Sequence, residues 1–583
     1  MPRSLIAEDI FNTLEDSEDE AMVLQMKCLA TNNLRSPIKG LPVEILGHIL
    51  ELAVTQILAK NRQFLGIPVL TSILSLSQVC SRWRNVCHST SRLWRVFPQR
   101  FERSKGKSGE VIRSCGNISP ELDAELVSLW FQRASPHPVV VSLTGYSNID
   151  PIPLLPTLSQ SDKIGALQLH ASDCIFSPIT EDFIRTISFP VLHTFHLTLG
   201  SRYFPNVDDS DEDPPGPPIP SSFDNILPLI EQLHAPQLSR LELSLIHKAP
   251  DIHLYGTQIR ELDLAFDSFR WFVDAGDDVV VECFGIIQQC PQLTSLRLHI
   301  NCRNNIDGYE GHLVLSELKS LEIDFGDDFD RDDMMDLFSG LTLPKLEVLD
   351  ICFPDFEDFD FDEEEMQAFK RRSGFPLRRL SLGICGFIPP EDLWDFVGDI
   401  QTLEELHVGG SVEGFGFLAY LLPPDGTQRL PLPNLHTLSV LPWISSEDRT
   451  PIMDDIVERV VKSRWWTDPA KRPYRRWKKV RIARDVSGEP YDAEEDDGNI
   501  LSPEAQKRMA VIAKEGLKLD FECGGFGFEP PSAFDGGDDD DDDRVGIICP
   551  YSGCITVVAR RSLSNYGKTR SFANTRMITR EIF

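Results

Sequence analysis

The sequence predicts an α/β fold: a short helical module near the N-terminus, followed by an irregular array of stacked strand-and-helix coils. Two observations carry this. The pattern Leu-x-x-Leu-x-Leu, with aliphatic or aromatic substitutes, recurs ten times between Ile164 and Val440. Ahead of it, the apolar residues from Leu41 to Ile57 fall at helical spacing.

The chain has 583 residues, too many for one ordinary core, so it divides into domains or forms an extended repeat array. Hydrophobic residues make up 41%, enough to fold. A formal net charge of −33 argues against nucleic acid or an anionic membrane as the main partner. No apolar run approaches the roughly 20 residues of a membrane helix. Glu8, Asp9, Glu15 and Asp16 interrupt any secretory signal. The 13 cysteines are scattered, which fits reduced thiols in the cytoplasm or nucleus.

Residues 1–40 form an N-terminal segment with one amphipathic stretch broken by acidic residues. A helix is then expected from Leu41, with Ile45, Leu46, Ile49, Leu50, Ala53 and Ile57 as its apolar positions and Pro42 in its first turn. After a loop at Gly66-Ile67-Pro68, a second helix carries Ile73, Leu74, Leu76, Val79, Cys80, Trp83 and Val86. A third turn holds Leu93, Trp94 and Phe97. So small a core must lean on the next domain or on a partner.

These residues carry a resemblance. Residues 41–100 resemble an F-box of the basidiomycete type, through Leu41, Pro42, Glu44, Ile45, Leu46, Ile49 and Leu50, then Val79, Cys80, Trp83 and Arg84, and finally Leu93 and Trp94. Leu126 to Leu143, within a linker spanning 101–163, is similar to the segment fungal F-box proteins place before their repeats. Ile49 and Val79 stand further apart than in compact animal F-boxes. The resemblance implies docking on a Skp-type adaptor, and through it on a cullin-RING ubiquitin ligase. Its contact residues would be Leu41, Pro42, Glu44, Ile45, Ile49, Leu50, Val79, Cys80, Trp83 and Trp94. The other reading makes these helices a cap over the open end of the array.

The repeats begin at Ile164, Leu192, Leu238, Ile259, Leu293, Leu318, Leu346, Leu377, Leu403 and Leu435, with a degraded copy at Trp477. Most starts lie about 20–30 residues apart, the length of a leucine-rich repeat. Residues 164–484 are therefore expected to form an irregular leucine-rich-repeat solenoid of about 10–11 coils. In each copy the last two apolar residues alternate along a strand and point inward. Leu227 to Leu233, Val279 to Ile287, Met334 to Phe338 and Leu393 to Val397 suit the returning helices. The Asn or Cys that usually follows the last core leucine occurs only at Asn301 and Cys385. Asp208–Pro220 and Pro354–Glu365 read as acidic insertions. Residues 485–583 read as a largely disordered tail, acidic then basic, in which 503–515 suits a short helix.

Strand alternation lists the outward positions: Thr194, His196, Glu242, His299 and Asp350, and a candidate target-binding set of Arg240, Glu261, Asp263, Arg297, Glu322, Asp324, Arg379, Glu405 and His407. Their mixed charge, acidic in the middle, suits a basic or mixed-charge protein; they equally suit an ordinary solvated sheet. Lys462 to Arg484 mixes ten basic residues with Trp465, Trp466, Tyr474 and Trp477. Trp477, Val480 and Ile482 favour the end of the core over a nucleic-acid contact. Cys549 and Cys554 lack a second pair and do not make a metal site. Lys105 to Gly109 contains Gly-Lys-Ser, but Phe101 stands where a phosphate loop needs glycine. No catalytic signature is present, so the expectation is a non-enzymatic substrate receptor needing no cofactor or metal.

Overall fold

A computed structural model describes residues 40–524 except 61–72, 74, 107–108, 115–119, 146–154, 173–186, 201–229, 245–249, 268–278, 302–310, 327–334, 336, 354–362, 413–415, 423–430, 442–450, 466–474, 483, 486–500 and 521–522. The N-terminal segment 1–39, the Asp208–Pro220 insertion, most of 354–365, the aspartate run Asp538–Asp543, and Cys549 and Cys554 lie outside the described residues. The chain divides into two units, Met1–Cys523 and Gly524–Phe583. The helices and the main sheet belong to the first.

The fold is α/β, with an N-terminal helical region and a sheet of parallel strands. Helix α1 (Val43–Lys60), a helical turn at 75–78, helix α2 (Ser81–Ser89) and a 3-10 turn (Ser91–Trp94) form the helical region. The sheet then runs β1 (Val96–Gly106), β2 (Gly109–Ser114), helix α3 (Pro120–Ala134), β3 (Val139–Gly145), β4 (Ile164–Ser172), β5 (Thr194–Gly200), β6 (Arg240–Ser244), β7 (Glu261–Asp267), helix α4 (Val279–Gln288) and β8 (Ser295–Asn301). It continues through β9 (Ser320–Phe325), β10 (Val348–Cys352), α5 (Glu363–Ser373), β11 (Arg379–Ile388), α6 (Pro390–Val397), β12 (Glu405–Val412), α7 (Gly416–Tyr420), β13 (Thr437–Leu441), α8 (Pro451–Trp465), β14 (Lys479–Ile482), α9 (Pro503–Lys514) and β15 (Lys518–Asp520). These strands form one 15-stranded sheet. From β3 onward each strand pairs in parallel with the next in sequence; only β1 and β2 pair antiparallel.

From β3 onward sequence order equals spatial order, because every motif places its apolar residues alike. The leading residue of each copy is buried, from Ile164 and Leu192 to Leu435 and Trp477. So are both strand residues that follow, as in Leu296 and Leu298 or Leu380 and Leu382. The corner before each strand repeats one backbone hydrogen bond. Lys319 N donates to Thr294 O at 2.9 Å, Glu347 N to Lys319 O at 2.8 Å, Arg378 N to Glu347 O at 2.8 Å and Glu404 N to Arg378 O at 2.7 Å. Parallel sheets usually bury both faces. Here the strands alternate buried and partly exposed, as in β9, so helical returns cover one face only. Successive helices α5 to α9 touch in sequence order, and Phe325, Phe338, Phe353, Phe369 and Phe375 interlock beneath the middle strands.

The sheet exceeds the expected array at both ends. Ahead of Ile164, β1 and β3 already pair with it, and beyond Arg484, β15 adds a further parallel strand beside β14. Helix α9 covers the second addition. Ser502 caps it by accepting from Ala505 N, and Ala505, Met509 and Ile512 are buried. The short helix expected at 503–515 is present as α9, and β15 adds a strand where the composition indicated a disordered tail. No helix among the described residues is long and apolar enough to cross a membrane.

Candidate interaction surfaces

Helix α1 is apolar on two faces. Leu46, Leu50 and Val54, at i, i+4 and i+8, are buried. Ile45, Ile49 and Leu52 form a second stripe, 49%, 43% and 52% exposed. Val43 at the helix start and Val79 before α2 are exposed as well, Val79 at 60%. A single exposed apolar residue needs no explanation, but a stripe along one helix does. Covering each of these side chains would be worth roughly 1–2 kcal/mol.

The expected adaptor-binding residues divide by burial. Pro42, Glu44, Ile45, Ile49, Val79 and Cys80 are exposed, and Leu41 and Trp83 are half-buried. Leu50 and Trp94 are 1% and 3% exposed and belong to the internal core. Helical spacing alone cannot separate the two stripes, because they lie side by side on α1, opposite the polar face of Glu44, His48 and Glu51. Val43 and Leu52, outside the expected contact set, are exposed beside it.

The helical region is fixed locally. Pro42 O accepts from Leu46 N at 3.0 Å, and the guanidinium of Arg82 donates to Leu41 O, tying α2 to the start of α1. Trp94 Nε1 donates to Cys87 O at 2.7 Å. The Trp94 ring meets Trp130 of α3 edge-on at 4.7 Å, and the Arg133 guanidinium lies 4.5 Å from its centroid. Phe97 at the start of β1 also packs on Trp130, at 5.5 Å. The helices and the sheet thus share one continuous core. Burial raises the Cys87 thiol above its ordinary pKa, so it is a packing residue.

The second surface is the open face of the sheet. Strand register aligns its outward residues into rows. One row reads Gln168, His196, Glu242, Asp263, Arg297 and Glu322, and continues through Asp350, Ser381, His407, Ser439 and Arg481. A parallel row carries Arg240, Glu261, Arg379, Glu405 and Lys479. His299 and Asp324 belong to a third. Register therefore brings together every residue of the candidate target-binding set. Lys479 and Arg481 join it, although the sequence reading placed their segment in the core; the alternation around Val480 and Ile482 was the signal.

Cross-strand ion pairs stitch the rows. Arg297 lies 3.5 Å from Asp263 and 2.8 Å from Glu322. His196 is 2.8 Å from Glu242, His299 3.0 Å from Asp324, and Arg379 3.9 Å from Asp350. Burial would raise Glu242, but His196 and Arg240 outweigh it and hold the carboxyl at about 2. Burial dominates for Asp263, Glu322 and Asp350, and like charges add to it: Glu242 beside Asp263, and Asp263 and Asp350 beside Glu322. These three carboxyls lie above their ordinary range. His407 is pushed down to about 4, first by burial and then by Arg379, so it is neutral at pH 7.

The described basic residues of 462–484 mostly have structural partners. Arg464 is buried, Arg475 lies 3.2 Å from Glu404, and Arg476 lies over the Trp465 ring at 3.4 Å. Trp466, Lys471, Arg472 and Tyr474 lie outside the described residues. No cluster of three or more metal-ligating side chains occurs among the described residues.

Comparison with known proteins finds no match among curated sequences. Among solved structures, one chain of the crystal structure of the Rad7 and Elc1 complex in yeast is similar at 14% identity, covering 72% of this chain and 98% of that one, with a TM-score of 0.29. A likeness of that degree carries no argument. Residues 38–97, which hold α1, α2 and the Trp94 turn, match the family described as F-box-like, so that segment is an F-box-like domain.

Proposed function

We propose that this chain is the substrate-recognition subunit of a Skp–cullin–F-box ubiquitin ligase. The observation that carries the proposal is the exposed apolar stripe Ile45, Ile49 and Leu52 within the F-box-like segment. Helix-in-groove docking needs such anchors at i, i+4 and i+7. Leu41, Pro42, Glu44, Val79, Cys80 and Trp83 flank the stripe in this reading, while Leu50 and Trp94 hold it in place from inside. The resemblance to fungal F-box proteins supports a Skp-type adaptor and, beyond it, a cullin-RING ligase.

The array is read as an irregular leucine-rich-repeat solenoid, supported by the recurrent motif and the identical corner bond of successive units. Its open face would hold a protein target through Arg240, Glu261, Asp263, Arg297, Glu322, Asp324, Arg379, Glu405 and His407. The chain would do no chemistry itself. It would raise the local concentration of the target beside the ubiquitin-conjugating enzyme, in cytoplasm or nucleus. Co-purification with a Skp-type adaptor tests this. Leu41→Ala with Pro42→Ala is expected to abolish capture while the sheet stays folded; undiminished capture would remove the adaptor from this face.

One observation favours a second reading. Trp94 packs directly on Trp130, so the helices also cap the first strands. A scaffold of this kind would show no adaptor capture and would unfold when the helices are deleted.

A further inference from the structure

The order of charges across the open face is not random. On β6 to β10 the outward rows carry Glu242, Glu261, Asp263, Glu322, Asp324 and Asp350. Arg240 and Arg297 are the guanidinium groups among them. On β13 and β14 the outward residues are Thr437, Ser439, Lys479 and Arg481. Register then sets Lys518 of β15 beside Lys479 and Asp520 beside Arg481. Lys479 and Lys518 are exposed. In a chain of net charge −33, the far end of this face is locally basic.

The two halves act as fields. Register sets six carboxyl groups (Glu242, Glu261, Asp263, Glu322, Asp324 and Asp350) against the two guanidinium groups of Arg240 and Arg297, so the middle strands hold surplus negative charge. His407 stands between the halves, and Arg379, Lys479 and Arg481 all oppose its protonation. Neighbouring strands lie about 4.8 Å apart, so β9 and β14, five steps apart, are separated by roughly 24 Å along the sheet. An extended peptide covers that distance in about seven residues.

We propose that the open face takes a charge-blocked peptide segment of a protein partner, lying across the strands with Lys or Arg over β6–β10 and Asp or Glu over β13–β14. This rests on reading the open face as the target surface, and it names the chemistry of the target. A uniformly basic segment satisfies only the middle strands. An alternating segment places like charges over both halves.

The test uses the full chain and three fluorescein-labelled probes of about fifteen residues, read by anisotropy at moderate salt. The first has a lysine block, a Gly-Ser spacer and a glutamate block. The second alternates the same lysines and glutamates. The third has the lysine block alone. The blocked probe is expected to bind at least tenfold tighter than the alternating one. Lys479→Glu with Arg481→Glu should remove that advantage and leave the lysine-only probe unweakened. Asp263→Asn with Asp350→Asn should weaken both blocked and lysine-only probes. Equal binding of blocked and alternating probes, or indifference to Lys479→Glu with Arg481→Glu in a variant of unchanged melting temperature, would overturn the inference. Adaptor capture is measured on the same preparations. Lost block preference with capture intact sinks this inference alone, and lost capture with preference intact sinks the adaptor reading alone.

Discussion

The guanidinium of Arg464 donates to the carbonyl of Leu432 at 2.8 Å, and Leu432 sits at φ +48, the left-handed region that few leucines occupy. The same guanidinium donates to Leu435 O at 3.0 Å and to Pro431 O, and lies 4.9 Å from the Trp477 ring centroid. Arg464 is 1% exposed, so α8 closes the turn before β13 from inside the core. Arg464→Met removes donors from three carbonyls and should cost about 2–4 kcal/mol, seen as a lower urea midpoint. Arg464→Lys should recover only part, because an ammonium lacks the planar fork. An unchanged midpoint for Arg464→Met would show that the turn does not depend on this contact.

His407 sets an acid limit. Its folded pKa of about 4 lies below the ordinary value near 6.5. The neutral ring is the folded form, so the stability it contributes is present above pH 6.5 and is lost as pH falls through about 4. The loss should reach up to about 3 kcal/mol. His407→Gln should flatten stability between pH 6.5 and 4 in chemical denaturation. An equally steep decline in the variant would assign the acid sensitivity elsewhere.

Asp350 should behave in the opposite sense. It stands directly across from Glu322, and burial, with Asp324 adding like charge, raises its pKa. A raised carboxyl costs stability when ionised and regains it as pH falls through the folded pKa. Asp350→Asn should therefore stabilise the protein at pH 7, by about 0.5–1 kcal/mol for a directly opposed like-charge pair. The gain should shrink at acid pH. Destabilisation at pH 7 would show that the contacts of Asp350 with Arg379 and Ser381 outweigh the repulsion.

Trp94 is held within the helical module by the Cys87 carbonyl and packs on Trp130 of α3, which also meets Phe97 of β1. Trp94→Ala should cost about 3–5 kcal/mol and lower the melting temperature of the whole first unit. Loss of adaptor capture in that variant would follow from unfolding, which separates it from changes on the exposed stripe.

Much of this architecture was legible in the sequence. Leu293, Leu296 and Leu298 announce their strand because inward residues must be apolar and outward ones need not be. Helices at Val279–Gln288 and Pro390–Val397 follow from the need to return on the covered side. The ends were less legible. In β15 the inward residue is Leu519, preceded by Leu517, too little pattern to distinguish from a tail. At the other end, β1 begins inside the F-box-like segment, so its apolar residues read as helix core. The exposed and buried stripes of α1 were inseparable because spacing gives a face's period but not its partner. The charge order of the open face needed register, which no single strand reveals.

The stripe itself is the direct test of the central claim. Ile45→Asp with Ile49→Asp alters exposed side chains only, so the melting temperature should stay within a degree or two of the parent. The affinity of the purified chain for a recombinant Skp-type adaptor, measured by titration calorimetry, should fall at least about 100-fold, as expected for losing two docked anchors at roughly 1–2 kcal/mol each plus burial of two charges. Affinity equal to the parent, in a variant that melts like the parent, would contradict the account.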